Sequence, residues 1–320
     1  ITKTDGTLWA WGRAFAGVLG QNSITYSSSP TQIGSDTTWS KSGLLAGATG
    51  FGIKTDGTLW SWGYNKYGML GQNQSNGSNP WASVSSPVQI PGTTWSDAGA
   101  LYTTSSWGLK TDGTLWVWGR NHYGQLGLNN RTDYSSPVQI PGTTWTNKIA
   151  DKWAGATALK TDGTLWSWGY STAGNAGNNT NITRSSPVQI PGTTWSKVSS
   201  STYTVLATRT DGTLWAWGYN SYGELAKNST NDHQSSPTQI PGTSWSTPIS
   251  VGQLALGAIR TDGTLWTWGR NQYGELGVPS VGTANRSSPI QVGSETNWSS
   301  EGIDVDPGGT DSGGFLKRTS

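Results

Sequence analysis

Few residues in this chain are equipped for chemistry, and their spacing narrows the choice further. There is no cysteine, which removes thiolate nucleophiles, disulfides and thiolate metal ligands. The two histidines, His122 and His233, stand alone in the loop-like contexts RNHYG and NDHQS. A lone histidine in such a setting reads as a solvent-facing side chain rather than a ligand or a base. Asp304, Asp306 and Asp311 in EGIDVDPGGTD form the one calcium candidate, because closely spaced carboxylates supply hard oxygen ligands. The segment lacks the bidentate glutamate of a helix–loop–helix calcium site, and a solvated closing loop explains it as well. No phosphate loop, nucleophile elbow or zinc motif occurs. The expectation is a protein without cofactor, metal or catalytic constellation.

Recognition is a different matter. Trp81, Trp107, Trp153 and Tyr203 are aromatic residues outside the repeated positions described below. Arg13, Arg120 and Arg270 follow a Trp-Gly pair where other copies carry Tyr64, Tyr170 and Tyr219. A position that alternates between Arg and Tyr suits a binding surface, since both are favoured at interfaces. Two readings stay open: a specific binding face, or loops that drift while stray rings fill gaps.

The element that carries these residues is a repeat. The word Thr-Asp-Gly-Thr-Leu-Trp begins at Thr4, Thr55, Thr111, Thr161, Thr210 and Thr261, at intervals of 49 to 56 residues. A fixed period of this size marks a propeller, solenoid or array. A second phrase built on Pro-x-Gln leads each time to a further Trp: Trp39, Trp95, Trp145, Trp195, Trp245 and Trp298. Asp-Gly between two β-rich runs predicts a tight hairpin. Alternation in the strand after it puts Trp60 and Trp62 on one face and Leu59 and Ser61 on the other. Each sheet thus has a bulky and a slim face, and stacking bulky against slim is packing written into the period. Proline predicts an edge or first position for the Pro-x-Gln strand.

Glycine-rich units of this length with DGTLWxWGxNxYGxLG, as at Asn65–Gly71, Asn121–Gly127 and Asn271–Gly277, resemble the regulator of chromosome condensation repeat. The resemblance implies an all-β propeller of four-stranded blades, usually seven. Six units are present here, so the expectation is one domain over residues 1–320 with six blades, which could be a piece excised from a longer protein. Phe315–Ser320 matches the strand that precedes Asp-Gly elsewhere. The last strand should therefore pair with the first and close the ring, with Ile1-Thr2-Lys3 displaced or sitting beside it. Seven blades would need further sequence. Repeats one and four depart from the motif, with Ala14-Phe15-Ala16-Gly17 and Ser171-Thr172-Ala173-Gly174, and no unit has the histidine that the family often places before its second strand.

The formal net charge is +2 and charged residues are 12% of the chain, which gives no electrostatic case for binding nucleic acid. No apolar run approaches the ~20 residues of a membrane helix. These features predict a non-enzymatic binding or structural module with protein or glycan partners and a possible place in a larger assembly. The expected setting is extracellular, on a cell surface or a virion. The alternative, implied by the resemblance, is an intracellular nucleotide-exchange factor or chromatin-binding regulator.

Overall fold

The computed structural model describes residues 1–45, 48–74, 83–299 and 317–318. The fold is all-β; the helical content among these residues is two short 3-10 turns, Phe15–Gly17 and Pro279–Val281. The chain divides into two compact units, Ile1–Asn147 and Lys148–Ser320.

The first unit holds a two-stranded sheet, Trp9–Gly12 with Ser27–Gln32, and two four-stranded sheets. These are Trp39–Leu45, Thr49–Lys54, Leu59–Tyr64 and Ser83–Gln89, then Trp95–Leu101, Ser105–Lys110, Leu115–Gly119 and Tyr134–Gln139. The second unit holds three more four-stranded meanders. The first of them starts just before the boundary, at Trp145–Lys152, and continues with Gly155–Lys160, Leu165–Gly169 and Arg184–Ile190. The next is Trp195–Ser200, Thr204–Arg209, Leu214–Gly218 and Gln234–Ile240; the last is Trp245–Ser250, Ala255–Arg260, Leu265–Gly269 and Arg286–Gln291. A short pair, Trp298–Ser299 with Lys317–Arg318, completes the unit.

The repeated word builds the second hairpin of each sheet. Gly57 N–H donates to Lys54 O and Lys54 N–H to Thr58 O, with Gly57 at φ +77°. The positive φ of the turn falls on the glycine and not on Asp56. Asp56 acts through its side chain: Oδ1 accepts from Thr58 N–H at 2.9 Å and Thr58 Oγ1 at 2.7 Å. Thr58 Oγ1 in turn accepts the Trp60 indole N–H at 2.9 Å. The same Asp–Thr–Trp relay occurs at Asp5, Asp112, Asp162, Asp211 and Asp262. These hydrogen bonds hold the six carboxyls below the usual carboxylate range.

The bulky-into-slim expectation is met within each unit. Leu59, Phe51 and Ile53 of one sheet bury against Trp95, Trp118 and Ala98 of the next. In the second unit Leu206, Leu214 and Ile240 bury against Trp245 and Trp268. The Trp two residues after the word crosses to the preceding repeat: the Trp62, Trp118 and Trp268 indoles donate to Val18 O, Met69 O and Glu224 O at 2.7–2.8 Å. The word's own Trp stays at the outer part of its own sheet under a cation, as where Lys54 Nζ lies 4.2 Å from the Trp60 ring and 5.0 Å from Trp39.

Two details concern the sheet edges. Proline stands on the outermost strand, the edge position expected, but inside it rather than at its start: Pro187 lies within Arg184–Ile190. The register skips there, from Ser167↔Val188 to Gly169↔Arg184, so a bulge on the edge strand takes up the missing N–H. At the chain start, Thr2 bridges Leu8, so Ile1-Thr2-Lys3 occupies the place beside the first strand. Lys317–Arg318 pairs with Trp298–Ser299.

Candidate binding surface

The Asp–Thr–Trp relay and the indole contacts account for the repeated aromatic and acidic residues, which leaves the irregular ones. Trp107 lies in mid-strand and is 8% exposed. Its cross-strand partner is Gly99, and a methyl group there would meet the Trp107 ring at 2.8 Å. Other repeats fill the same space differently: Phe51 opposite Gly43, Leu206 opposite Ser199, Gly257 opposite Ile249. Large faces small in each pair, so Trp107 is a packing residue and not the surface ring that its irregular position suggests.

Trp153 and Tyr203 have a different fate. Each stands on the turn between the first and second strands of its sheet, and each is half-buried. Their ring centroids lie 6.0 Å apart. Trp153 meets Tyr170 edge-on at 4.6 Å, Tyr203 meets Tyr219 at 6.0 Å, and Tyr219 stacks on His233 at 4.6 Å. Five rings thus form a row across two sheets of the second unit. The backbone beneath it is tied together. Trp153 N–H donates to Thr202 O, and Thr202 N–H to Gln253 O. Tyr170, Tyr219 and Arg270 donate to Ala154, Tyr203 and Leu254 carbonyls on the turns of their own sheets. Tyr170, Tyr219 and His233 were not singled out as site residues. Their signal was present, in that Tyr170 and Tyr219 occupy the alternating Arg/Tyr position.

His233 also has a structural task, since Asn220 N–H donates to its Nδ1 at 3.0 Å. Asp133 and Asn285 accept the equivalent N–H in other repeats. His122 is exposed and packs edge-on against Tyr123.

The three arginines each stand over a ring close by. Arg13 lies over Phe15 at 5.6 Å and Arg120 over Tyr67 at 4.9 Å in the first unit. Arg270 lies over Tyr273 at 5.4 Å and Tyr222 at 6.0 Å in the second. Each covers an aromatic ring with its guanidinium. Trp81 and the calcium candidate Asp304, Asp306 and Asp311 lie outside the described residues. Among the described residues, no group of three His, Asp or Glu side chains is placed to hold a metal ion.

Two buried ionisable groups escaped the sequence reading. Lys152, beside Trp153, is 1% exposed, and burial pushes its amine down to about 7. Glu224 is fully enclosed, and burial pushes its carboxyl up to about 7. Oε2 accepts from Tyr222 N–H at 2.8 Å.

The model of the regulator of chromosome condensation (RCC1) repeat matches residues 56–97, 112–156, 211–257 and 262–303, more than half of the chain. A second model of the same repeat matches 195–224. Human Protein RCC2 is 35% identical over 83 residues, 25% of this chain and 15% of that protein. The matched stretch is thus a small part of that relative's length. Human WBSCR16 superposes with a TM-score of 0.74 at 20% identity, covering 89% of this chain and 76% of its own. Prp20p from Saccharomyces cerevisiae, whose structure was described together with its binding to Gsp1p and histones, superposes with a TM-score of 0.74 at 17% identity, covering 93% and 77%. These superpositions show a shared fold, that of RCC1-type propellers. The repeat family and the relative RCC2 overturn the expected extracellular, cell-surface or virion setting, because the regulation of chromosome condensation takes place inside the cell. By its repeats and by its fold, the chain belongs to the regulator of chromosome condensation (RCC1) repeat family.

Proposed function

We propose that this chain is a protein-binding propeller module of the intracellular regulator class, and that the row Trp153, Tyr170, Tyr203, Tyr219 and His233 is its docking face. The row carries the reading. Rigid aromatic side chains contribute contact area at low entropic cost and dominate interface energetics, and here they stand on turns already tied by backbone hydrogen bonds. The partner is a protein, either a guanine-nucleotide-binding protein or a chromatin protein. Prp20p, with its recorded binding to Gsp1p and histones, supports that choice. Arg270, on the same unit as the row, belongs to the wider recognition surface; Arg13 and Arg120 stand on the first unit. Glycan partners and a larger assembly have no support. The module works by binding rather than by catalysis. Six blades in one domain complete the proposal, and a density map with seven blades would refute that part.

The test is a titration of the purified chain against a Gsp1p-type GTPase and, separately, against histone dimers. Saturable binding to one of them that falls at least tenfold in Tyr203→Ala is the expected result. Binding to neither, or binding indifferent to both Tyr203→Ala and Trp153→Ala, overturns the reading.

A further inference from the structure

Beneath the aromatic row lies a polar cluster that the binding function does not use. Lys152 Nζ donates to Ser167 Oγ at 2.6 Å and to Asn175 O at 2.8 Å. Among the described residues, no carboxylate stands within ion-pair distance of it. Three features then coincide. The ammonium keeps a third hydrogen with no acceptor assigned to it. The Asn175 side chain, 0% exposed, has neither Nδ2 nor Oδ1 satisfied. The Trp217 indole N–H, also 0% exposed, has no partner.

The last absence sets this repeat apart from others. Trp118 and Trp268 donate to the carbonyl of the residue before Leu in the GxL stretch of the preceding repeat, Met69 and Glu224. The equivalent carbonyl for Trp217 is that of Asn175, which accepts from Lys152; the Met69 carbonyl likewise accepts from Ser106 Oγ and still receives the Trp118 indole, whereas the Trp217 indole makes no such bond. Lysine at this turn thus adds a buried charge next to an indole donor that has no acceptor. A buried cation without a counter-charge is expensive, and so is each buried donor without an acceptor. A water molecule would supply acceptors but no charge. An anion supplies both.

We propose that Lys152, Asn175 and Trp217 enclose a monovalent anion of halide size. The groups are 0–1% exposed, so the ion is one small enough to be taken up within the folded sheet stack, and larger carboxylates and phosphates are excluded. This is independent of the docking face, since it concerns the inside of the second unit and not its partner.

Thermal unfolding of the full chain at about pH 6, where a lysine free in solution is charged, tests it. The protein is compared in sodium chloride, sodium bromide and sodium gluconate at equal ionic strength. A melting temperature several degrees higher in the two halides is expected, with that difference lost in Lys152→Met and reduced in Trp217→Phe, which keeps the ring and removes the N–H. Crystals grown in bromide should show an anomalous peak beside Lys152 Nζ. Equal halide responses in the wild type and Lys152→Met overturn the proposal, and so does a bromide map empty at this position. If neither variant folds, the wild-type bromide map alone decides.

Discussion

Trp107 and Trp153 are both tryptophans that the repeat does not call for, and they end in opposite roles. Trp107 sits two residues into a strand, facing Gly99, and closes a gap in its sheet. Trp153 sits on a turn, keeps part of its ring in solvent and joins a row of aromatic neighbours. The difference is set by the partner position. Where the opposite strand offers glycine, a ring turns inward; where a turn offers no opposite strand, it faces outward. An irregular aromatic residue is thus a functional signal only after its cross-strand neighbour is known.

The sharpest way to break this contrast is to delete both rings. Trp107→Ala should cost ~3–5 kcal/mol in a urea melt, comparable to the scaffold variant Trp62→Ala, because each leaves a large cavity. Partner binding measured under native conditions should be retained. Trp153→Ala should cost about 1 kcal/mol of stability, since half the ring is already in water, yet weaken partner binding at least tenfold, or ~1.4 kcal/mol. A large stability loss at Trp153 with unchanged affinity would erase the distinction.

A second comparison, of Lys152 with Glu224, reads out as opposite pH slopes in halide-free buffer. The folded amine titrates at about 7 against 10.5 for an ordinary lysine. Between those values the unfolded chain holds the proton and the folded chain does not, so stability rises with pH across that window. The folded carboxyl titrates at about 7 against 4.5 for an ordinary glutamate. There the folded chain holds the proton, so stability falls as pH rises from 4.5 towards 7. Lys152→Met should flatten the alkaline rise and Glu224→Gln the acidic fall, in urea midpoints measured across the range. The smallest effect belongs to the turn carboxyls. Their pKa values are depressed, so their contribution is present above the ordinary carboxylate range and fades as pH falls through the folded value. Asp162→Asn should remove one such step from the acid limb and leave neutral-pH affinity unchanged.

Much of the scaffold was legible because it is local. Asp, Gly, Thr and Trp of the repeated word act on one another within five residues, so the hairpin and the alternation of faces follow from spacing alone. The non-catalytic reading also rested on residue inventory. The setting was misjudged for a physical reason: low charge and abundant Ser, Thr, Asn and Gly describe the solvation of a surface, not the compartment that surrounds it. The aromatic row was half legible. Trp153 and Tyr203 stood out as irregular, but they are 50 residues apart in sequence and meet only because successive sheets stack.

The order of strands, the turn glycines and the bulky and slim faces were written in the sequence itself, since each depends on neighbours a few bonds away. Tertiary structure alone determined which extra rings are buried, which form a surface, and which buried polar groups gather around Lys152. Those outcomes depend on the size and hydrogen-bonding capacity of groups from another strand or another repeat, and a linear pattern does not carry the distance between them.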